Sequence, residues 1–546
     1  MSGQKFSFEE RQKAWRDFDQ TYFDIIVVGG GINGAGIARD ACSRGMKVAL
    51  VEANDFAFGT SSRSSKLIHG GIRYLENLEF PLVFEALSER ALLFKIAPHL
   101  VHPLKFLLPV YKKSRVPLWK LRVGLWLYDG LALFRTPKIH EFLSAETLKS
   151  EYPQLQTQDL LGGFIYFDGY MDDDRLVVET LRSAYQTQLL SAANYVKACE
   201  FWESEQGCHL RVQNQLTGEF KTIIGRQVVA CVGPWTDILR RNILKSNMNK
   251  LRPSKGIHIT FHRERWSLPT AVVMGVEERI VFAIPRHDMV IVGTTDTDFS
   301  EDPGKVRVEA EDINYLMQVV RSYFSGAQLS ECDIIAAYAG VRPLVKDHAQ
   351  SVGKTSREHV IWYEGGVWWV AGGKYTTYRK IAEEAVTECL SRFPLELQIA
   401  FAESDTKRPL NDLVPSDYLA FKDDLVTELL AKTQSLSTME AEKLVDRFGP
   451  ESLRFPERYG SKRGYWEYEI FYAWENTMCL SLRDFYFRRT PLFLGERDHG
   501  LGYRDRFLKV FPELGQHYDQ SHFEEQWFQL NREIENGSDW RSVLKR

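Results

Sequence analysis

The chain is 546 residues long, 44% hydrophobic and 26% charged, ordinary globular usage that fills a large core or several domains and excludes disorder, collagen and coiled coil. With 69 Lys and Arg against 73 Asp and Glu the net charge is −4, so no overall basic field marks nucleic acid as a partner. Seven scattered cysteines without a C-x-x-C pair exclude a disulfide scaffold and fit reduced thiols in the cytoplasm.

In chain order, residues 1–20 mix Lys5, Arg11, Lys13 and Arg16 with Glu9, Glu10, Asp17 and Asp19. They lack the apolar h-region of a secretory signal and read as an N-terminal extension. From Phe23 an apolar β-branched run, a glycine cluster, a helical pattern and a second apolar run ending at Glu52 predict a β-α-β unit. Gly29, Gly31 and Gly34 form G-x-G-x-x-G directly after the first strand, and Glu52 closes the second strand 18 residues beyond Gly34. Glycines there let backbone N–H groups approach a pyrophosphate at the positive end of the following helix, and the terminal acid accepts from ribose hydroxyls. The unit predicts a bound dinucleotide without choosing between NAD and FAD. Residues 59–76, GTSSRSSKLIHGGIRYLE, then form a hydroxyl- and glycine-rich loop holding Lys66, His69 and Arg73, unlike a second nicotinamide half.

Here the sequence closely resembles the FAD-dependent glycerol-3-phosphate dehydrogenases of the aerobic type. The shared pattern is G-G-G-I-x-G-A-G at 29–36 and T-S-S-x-S-S-K-L-I-H-G-G-x-R-Y-L-E at 60–76. It continues through DDDRL from Asp172, VVACVGPW from Val228, KGIH from Lys255, VGTTDTDF from Val292, AGVRPL from Ala339, GGKYTTYRK from Gly372 and DFYFRRT from Asp484. The resemblance covers about 23–490 and implies an α/β chain with three parts. These are a Rossmann-like FAD domain of the glutathione-reductase/D-amino-acid-oxidase type (21–85, 155–250 and 340–395), an antiparallel-sheet substrate domain (86–154 and 251–339) and a helical C-terminal domain (400–546). It implies oxidation of sn-glycerol 3-phosphate to dihydroxyacetone phosphate by hydride transfer to the flavin N5, with electrons passed on to quinone. Gly29, Gly31, Asn33, Gly34, Glu52, Thr60, Ser61, Ser65, Lys66, His69, Gly373 and Thr376 are the implied FAD contacts. Arg73, Tyr74, His258, Arg342 and Lys374 are the implied substrate contacts.

A phosphorylated substrate needs fixed cations, and arginine offers phosphate two parallel hydrogen bonds. Arg342, between Gly340, Val341 and Pro343 in an apolar run, is expected beside an anion. His69 is favoured as the base for the alcohol proton over His258, with Lys374 as a further candidate; His69, Arg73 and Lys374 form the expected catalytic set. No metal is expected. The acidic stretch 296–304 has Glu301 where an EF-hand needs glycine, no H-E-x-x-H occurs, and Asp172, Asp173 and Asp174 read as the cap of a following helix.

Residues 104–128 interleave Lys105, Lys112, Lys113, Arg115, Lys120 and Arg122 with Phe106, Tyr111, Trp119, Trp126 and Tyr128, the pattern of an interfacial helix on an anionic bilayer. Lys120, Arg122 and Asp129 break the apolar stretch 118–134, so no spanning segment is expected. The expectation is a cytoplasmic enzyme peripheral on the cytoplasmic membrane face, with homodimerisation left open. Competing readings are a glycerol-3-phosphate oxidase using oxygen, an FAD amine oxidase of the same fold and a non-catalytic flavin-binding sensor.

Overall fold

Continuous apolar runs, buried on both faces, form parallel strands covered by helices. The computed structural model describes residues 5–245, 248–276, 279–346, 358–415, 417–515 and 518–537, with the side chains of residues 73, 76 and 77 outside that description. In the first sheet Tyr22–Val28, Val48–Val51, Leu190–Ala193, Phe220–Ala230 and Val367–Gly372 lie parallel, with Tyr22–Val28 between Phe220–Ala230 and Val48–Val51. Helix α1 (Phe8–Asp17) packs beside Leu190–Ala193. Arg11 donates to the Asn194 carbonyl at 2.8 Å and to Asn214 Oδ1 at 3.0 Å, and Phe6 is buried. Residues 5–20 of the segment expected as an extension thus pack onto the rest of the fold through Phe6, Arg11, Ala14 and Phe18. Helix α2 (Ile32–Ser43) follows the glycine turn and packs against Asp173–Tyr185 and Tyr378–Leu390.

The second sheet is mostly antiparallel and contains Ser254–His262, Arg279–Arg286 and Met289–Gly293, within the segment expected to form an antiparallel sheet. It also takes Leu160–Met171, which the sequence division assigned to the nucleotide segment. That strand pairs antiparallel with Val101–Tyr111 along its whole length. Helix α3 (Phe80–Ile96) leads into this pair.

The expected interfacial helix over 104–128 is corrected. Residues up to Tyr111 form the strand Val101–Tyr111, whose Lys105 and His102 alternate with buried Val101 and Phe106. Pro117 then starts helix α4 (Leu118–Leu131). The basic residues suggested one helix because a strand edge and a helix face can both carry cations. No described helix is long and apolar enough to cross a membrane, and the seven cysteines are free thiols.

The described residues from Tyr418 onward are mostly helical, with Tyr468, Phe485, Tyr486, Phe507, Phe511 and Phe523 in an aromatic core. Buried ion pairs join this region to the rest. Arg488 reaches Asp55 at 2.6 Å and Arg489 reaches it at 2.8 Å, while Arg182 reaches Glu451 at 2.8 Å. Burial alone would raise the Asp55 carboxyl, yet Arg489 and Arg488 outweigh it and bring it down to about 2. Removing one partner of such a pair leaves an uncompensated buried charge and costs about 3–5 kcal/mol.

The acidic triplet is a second correction. Asp173–Tyr185 is a helix, but Asp172 at its N-cap makes no side-chain cap bond. Its carboxylate instead takes Arg286 and, at 3.1 Å, Arg447. Asp173 takes Lys66 and, at 2.8 Å, the Ser64 hydroxyl. Cations delivered by remote segments displace the local cap, which spacing alone cannot foresee.

Candidate active site

A cavity of about 650 Å³ opens where Val28, Val51 and Cys231 end or follow parallel strands, the place at which open α/β sheets bind ligands. Gly29 has φ +109°, and a Cβ there would lie 2.6 Å from the Cys231 carbonyl oxygen. Gly34 does not line the cavity: a Cβ on it would lie 1.9 Å from the Gly29 carbonyl oxygen, so it serves the close packing of α2 on the turn. Gly31 is the N-cap of α2 without a side-chain cap, and the Ser61 hydroxyl accepts from Ile32 N–H at 3.0 Å. The helix N-terminus thus points its partial positive charge at the cavity, beside Asn33.

Glu52 accepts from Gly30 N–H at 2.7 Å and from Asn54 N–H at 2.8 Å. Burial pushes its carboxyl above the usual range, opposed by those two N–H groups. It is thereby fixed at the cavity wall with acceptor capacity on both oxygens. Thr60 donates to the Val341 carbonyl at 2.6 Å, tying the hydroxyl-rich loop to the end of the second sheet. A bare glycine cradle, a helix start whose N-cap Gly31 carries no side chain and a fixed acid fit a dinucleotide on the observed geometry.

At the other end His69, Tyr74, His258, Arg342, Gly373, Lys374 and Thr376 meet. His258 lies on Ser254–His262, stacks on Tyr338 with ring centroids 4.8 Å apart, and shares a hydrogen bond with Ser65 through Nε2 at 2.8 Å. Its Nδ1 is buried without a hydrogen-bond partner. Burial, then Arg342 and Lys66, hold its pKa well below the histidine range, so the ring is neutral at pH 7. The His69 main chain is pinned by Thr376, whose hydroxyl accepts from its N–H at 3.2 Å and donates to its carbonyl at 3.1 Å.

Arg342 donates to Thr294 Oγ1 at 2.6 Å and reaches Asp296 at 3.2 Å, with Ser254 Oγ at 3.3 Å. Sequence reasoning treated Asp296 only as a candidate metal ligand and missed it as the partner of Arg342. The Lys374 ammonium sits 3.7 Å from the centroid of the Tyr74 ring, a close cation–π contact. Lys66, expected at the cofactor, does not line the cavity; its ammonium is taken by Asp173. The Arg73 side chain lies outside the described residues. Trp235 was unremarked as a site residue although its block had been noticed: it lines the cavity and donates to Asp302 at 3.3 Å.

The comparisons with known proteins agree with this geometry. The family model described as FAD dependent oxidoreductase matches residues 24–379. The chain is 33% identical to the aerobic glycerol-3-phosphate dehydrogenase of Staphylococcus haemolyticus, covering 98% of this chain and 99% of that protein. It is also 33% identical to the aerobic glycerol-3-phosphate dehydrogenase of Bacillus subtilis, covering 95% and 96%. Among solved structures, the glycerol-3-phosphate dehydrogenase from Bacillus halodurans complexed with FAD superposes with a TM-score of 0.76 at 27% identity, covering 98% of each chain.

Proposed function

The chain belongs to the FAD-dependent oxidoreductases and, among them, to the glycerol-3-phosphate dehydrogenases, and from that premise we propose that it oxidises glycerol 3-phosphate to dihydroxyacetone phosphate and delivers the electrons to quinone at an anionic membrane surface. The observation that carries the reading is the single cavity that joins the dinucleotide cradle to two imidazoles, an arginine and a lysine.

Gly29, Gly31, Asn33, Glu52 and Ser61 would hold the dinucleotide, with Gly373 and Thr376 at the far end. Bound FAD supplies a two-electron acceptor for the hydrogen on the carbinol carbon. Arg342 and Lys374 bind and orient the phosphorylated alcohol, each already fixed by Thr294 and Asp296 or by the Tyr74 ring, so little ordering remains at binding. His69 takes the hydroxyl proton. His258 is the weaker candidate because burial and two nearby cations oppose its charging, and it serves as a neutral hydrogen-bonding partner beside the substrate.

The membrane part of the proposal is supported by α4. Trp119, Val123, Trp126 and Leu127 leave its surface exposed, and Leu133, Phe134 and Ile139 extend the apolar patch. Lys112, Lys113, Arg115, Lys120 and Arg122 are interspersed or adjacent. Exposed apolar bulk mixed with cations suits an anionic bilayer.

Purified protein assayed with glycerol 3-phosphate and a dye, a quinone or oxygen as separate acceptors tests the reading. Dye- and quinone-linked turnover with little hydrogen peroxide is expected. Peroxide formation matching the dye-linked rate would make it an oxidase, turnover of a small amine instead would make it an amine oxidase, and flavin binding without turnover would leave a sensor.

A further inference from the structure

Behind the cavity wall lies a buried polar group that the reaction scheme does not use. Asp168 on Leu160–Met171, Tyr128 on α4 and Arg90 on α3 come from three separate elements, and 2%, 0% and 0% of their surfaces reach solvent. The Tyr128 hydroxyl lies 2.8 and 2.9 Å from the two Asp168 carboxylate oxygens, and Arg90 pairs with the same carboxylate. All of this converges on one backbone group. Gly70 N–H lies 3.0 Å from the Tyr128 oxygen and 3.2 Å from Asp168 Oδ1.

Gly70 directly follows His69, whose own N–H and carbonyl are held by Thr376. The His69–Gly70 segment is therefore clamped from opposite directions, by Thr376 beside the cavity and by Tyr128 and Asp168 from behind. A Cβ on Gly70 would lie 2.6 Å from the Tyr128 oxygen and 2.4 Å from Leu87 Cδ2, so the approach needs glycine.

Stability is a poor account of this group. Arg90 Nε and Nη2 are buried without hydrogen-bond partners, and a half-satisfied buried network is worse for stability than apolar packing. Burial also raises the Tyr128 hydroxyl far above its ordinary range, which keeps it a proton donor toward Asp168. What the group does achieve is placement, and displacing a reacting group by about 1 Å costs up to roughly 100-fold in rate.

We propose that Tyr128 and Asp168 are positioning residues for the oxidation, fixing the His69–Gly70 peptide so that the His69 ring meets the substrate hydroxyl in reacting geometry. The proposal rests on the reading that puts His69 at the reacting centre.

The test is Tyr128→Phe in the holoenzyme, which keeps the ring packing and removes only the hydroxyl. The expected result is a fall of about 10- to 100-fold in kcat per bound flavin and in the anaerobic rate of flavin reduction. KM for glycerol 3-phosphate should stay within about twofold and the flavin content and spectrum should be unchanged, since nothing that holds substrate or cofactor is removed. A purely structural role would lower the melting temperature or flavin content and leave kcat per flavin intact, and that pattern would overturn the proposal. The double variant Arg90→Met with Asp168→Leu removes both buried charges together with the carboxylate that accepts from Gly70 N–H and from Tyr128, and should show the same loss of kcat, so a failure of Tyr128→Phe to fold does not shield the idea. His69→Gln separates the two readings. If it retains activity, His69 is not the base; if it is inactive while Tyr128→Phe and the double variant run at the wild-type rate, the positioning role is wrong.

Discussion

At the nucleotide end of the cavity, strand, glycine turn, helix and terminal acid come from residues 22–52, whereas at the reacting end the groups come from residues 69, 258, 342 and 374. The first end is set by local backbone geometry, in which Gly29 and Gly34 approach other main-chain atoms too closely for any side chain. The second is set by tertiary packing, in which each charged group is aimed by a partner from another segment. A local device fails completely when one residue changes, and a distributed one loses function by degrees.

The largest effect is expected at the cradle. Gly31→Val places a side chain beside Ser61 Oγ and into the cavity, so the purified variant should retain its far-UV circular dichroism but carry no flavin absorbance. Full flavin content would show that the cradle is not where the cofactor lies. At the reacting end, Arg342→Ala should lower kcat/KM for glycerol 3-phosphate by about 10- to 150-fold while the flavin spectrum persists. Glycerol, which lacks the phosphate, should be oxidised slowly and equally by both forms; equal rates for the two substrates in the wild type would remove phosphate recognition from the scheme.

A smaller effect tests whether the helical region shares the distributed design. His99 packs near Gly449 and is held down to about 3, first by burial and then by Arg175, and His102 is held at about 4 by burial. Both folded values lie below that of an unfolded histidine near 6.5, so the unfolded chain binds the extra protons. Stability should be complete above pH 7 and decline as pH falls from about 6.5 toward 4, by up to about 1.4 kcal/mol per pH unit for each ring. Melting curves at pH 7.5, 6 and 5 check the sign, and His99→Gln should flatten the slope. The smallest effect is at the surface: Lys113→Gln and Arg115→Gln should each weaken partition to phosphatidylglycerol vesicles by roughly fivefold. Dye-linked activity should be unchanged, and equal sedimentation of both variants with wild type would remove the membrane contact.

The cradle was legible because its spacing is its geometry: Gly29, Gly31, Gly34 and Glu52 sit within one β-α-β unit, and chain order dictates their relation. The helical C-terminal region was expected through the family resemblance. Lys66 was misassigned because nothing near it in sequence announces Asp173, which lies 107 residues away. Asp296 beside Arg342 and Asp168 behind Gly70 were invisible for the same cause, since a carboxylate's partner is chosen by sheet pairing rather than by neighbours. Residues 104–111 were read as helix because their cations and aromatics match either period over so short a run, and only the pairing of Val101–Tyr111 with Leu160–Met171 decides.

The carboxylate of Asp55 stands just past the nucleotide strand, yet Arg488 and Arg489 follow 433 and 434 residues later. A ribosome adding roughly 5–20 residues per second needs roughly 20–90 s to cover that interval. Throughout it the growing chain holds an acid destined for burial with no cation to meet it, so the turn that is synthesised first becomes complete among the last. A nascent or truncated chain ending before residue 480 is therefore expected to keep the Asp55 carboxylate in water, and the burial of that acid belongs to the finished polypeptide rather than to its first half.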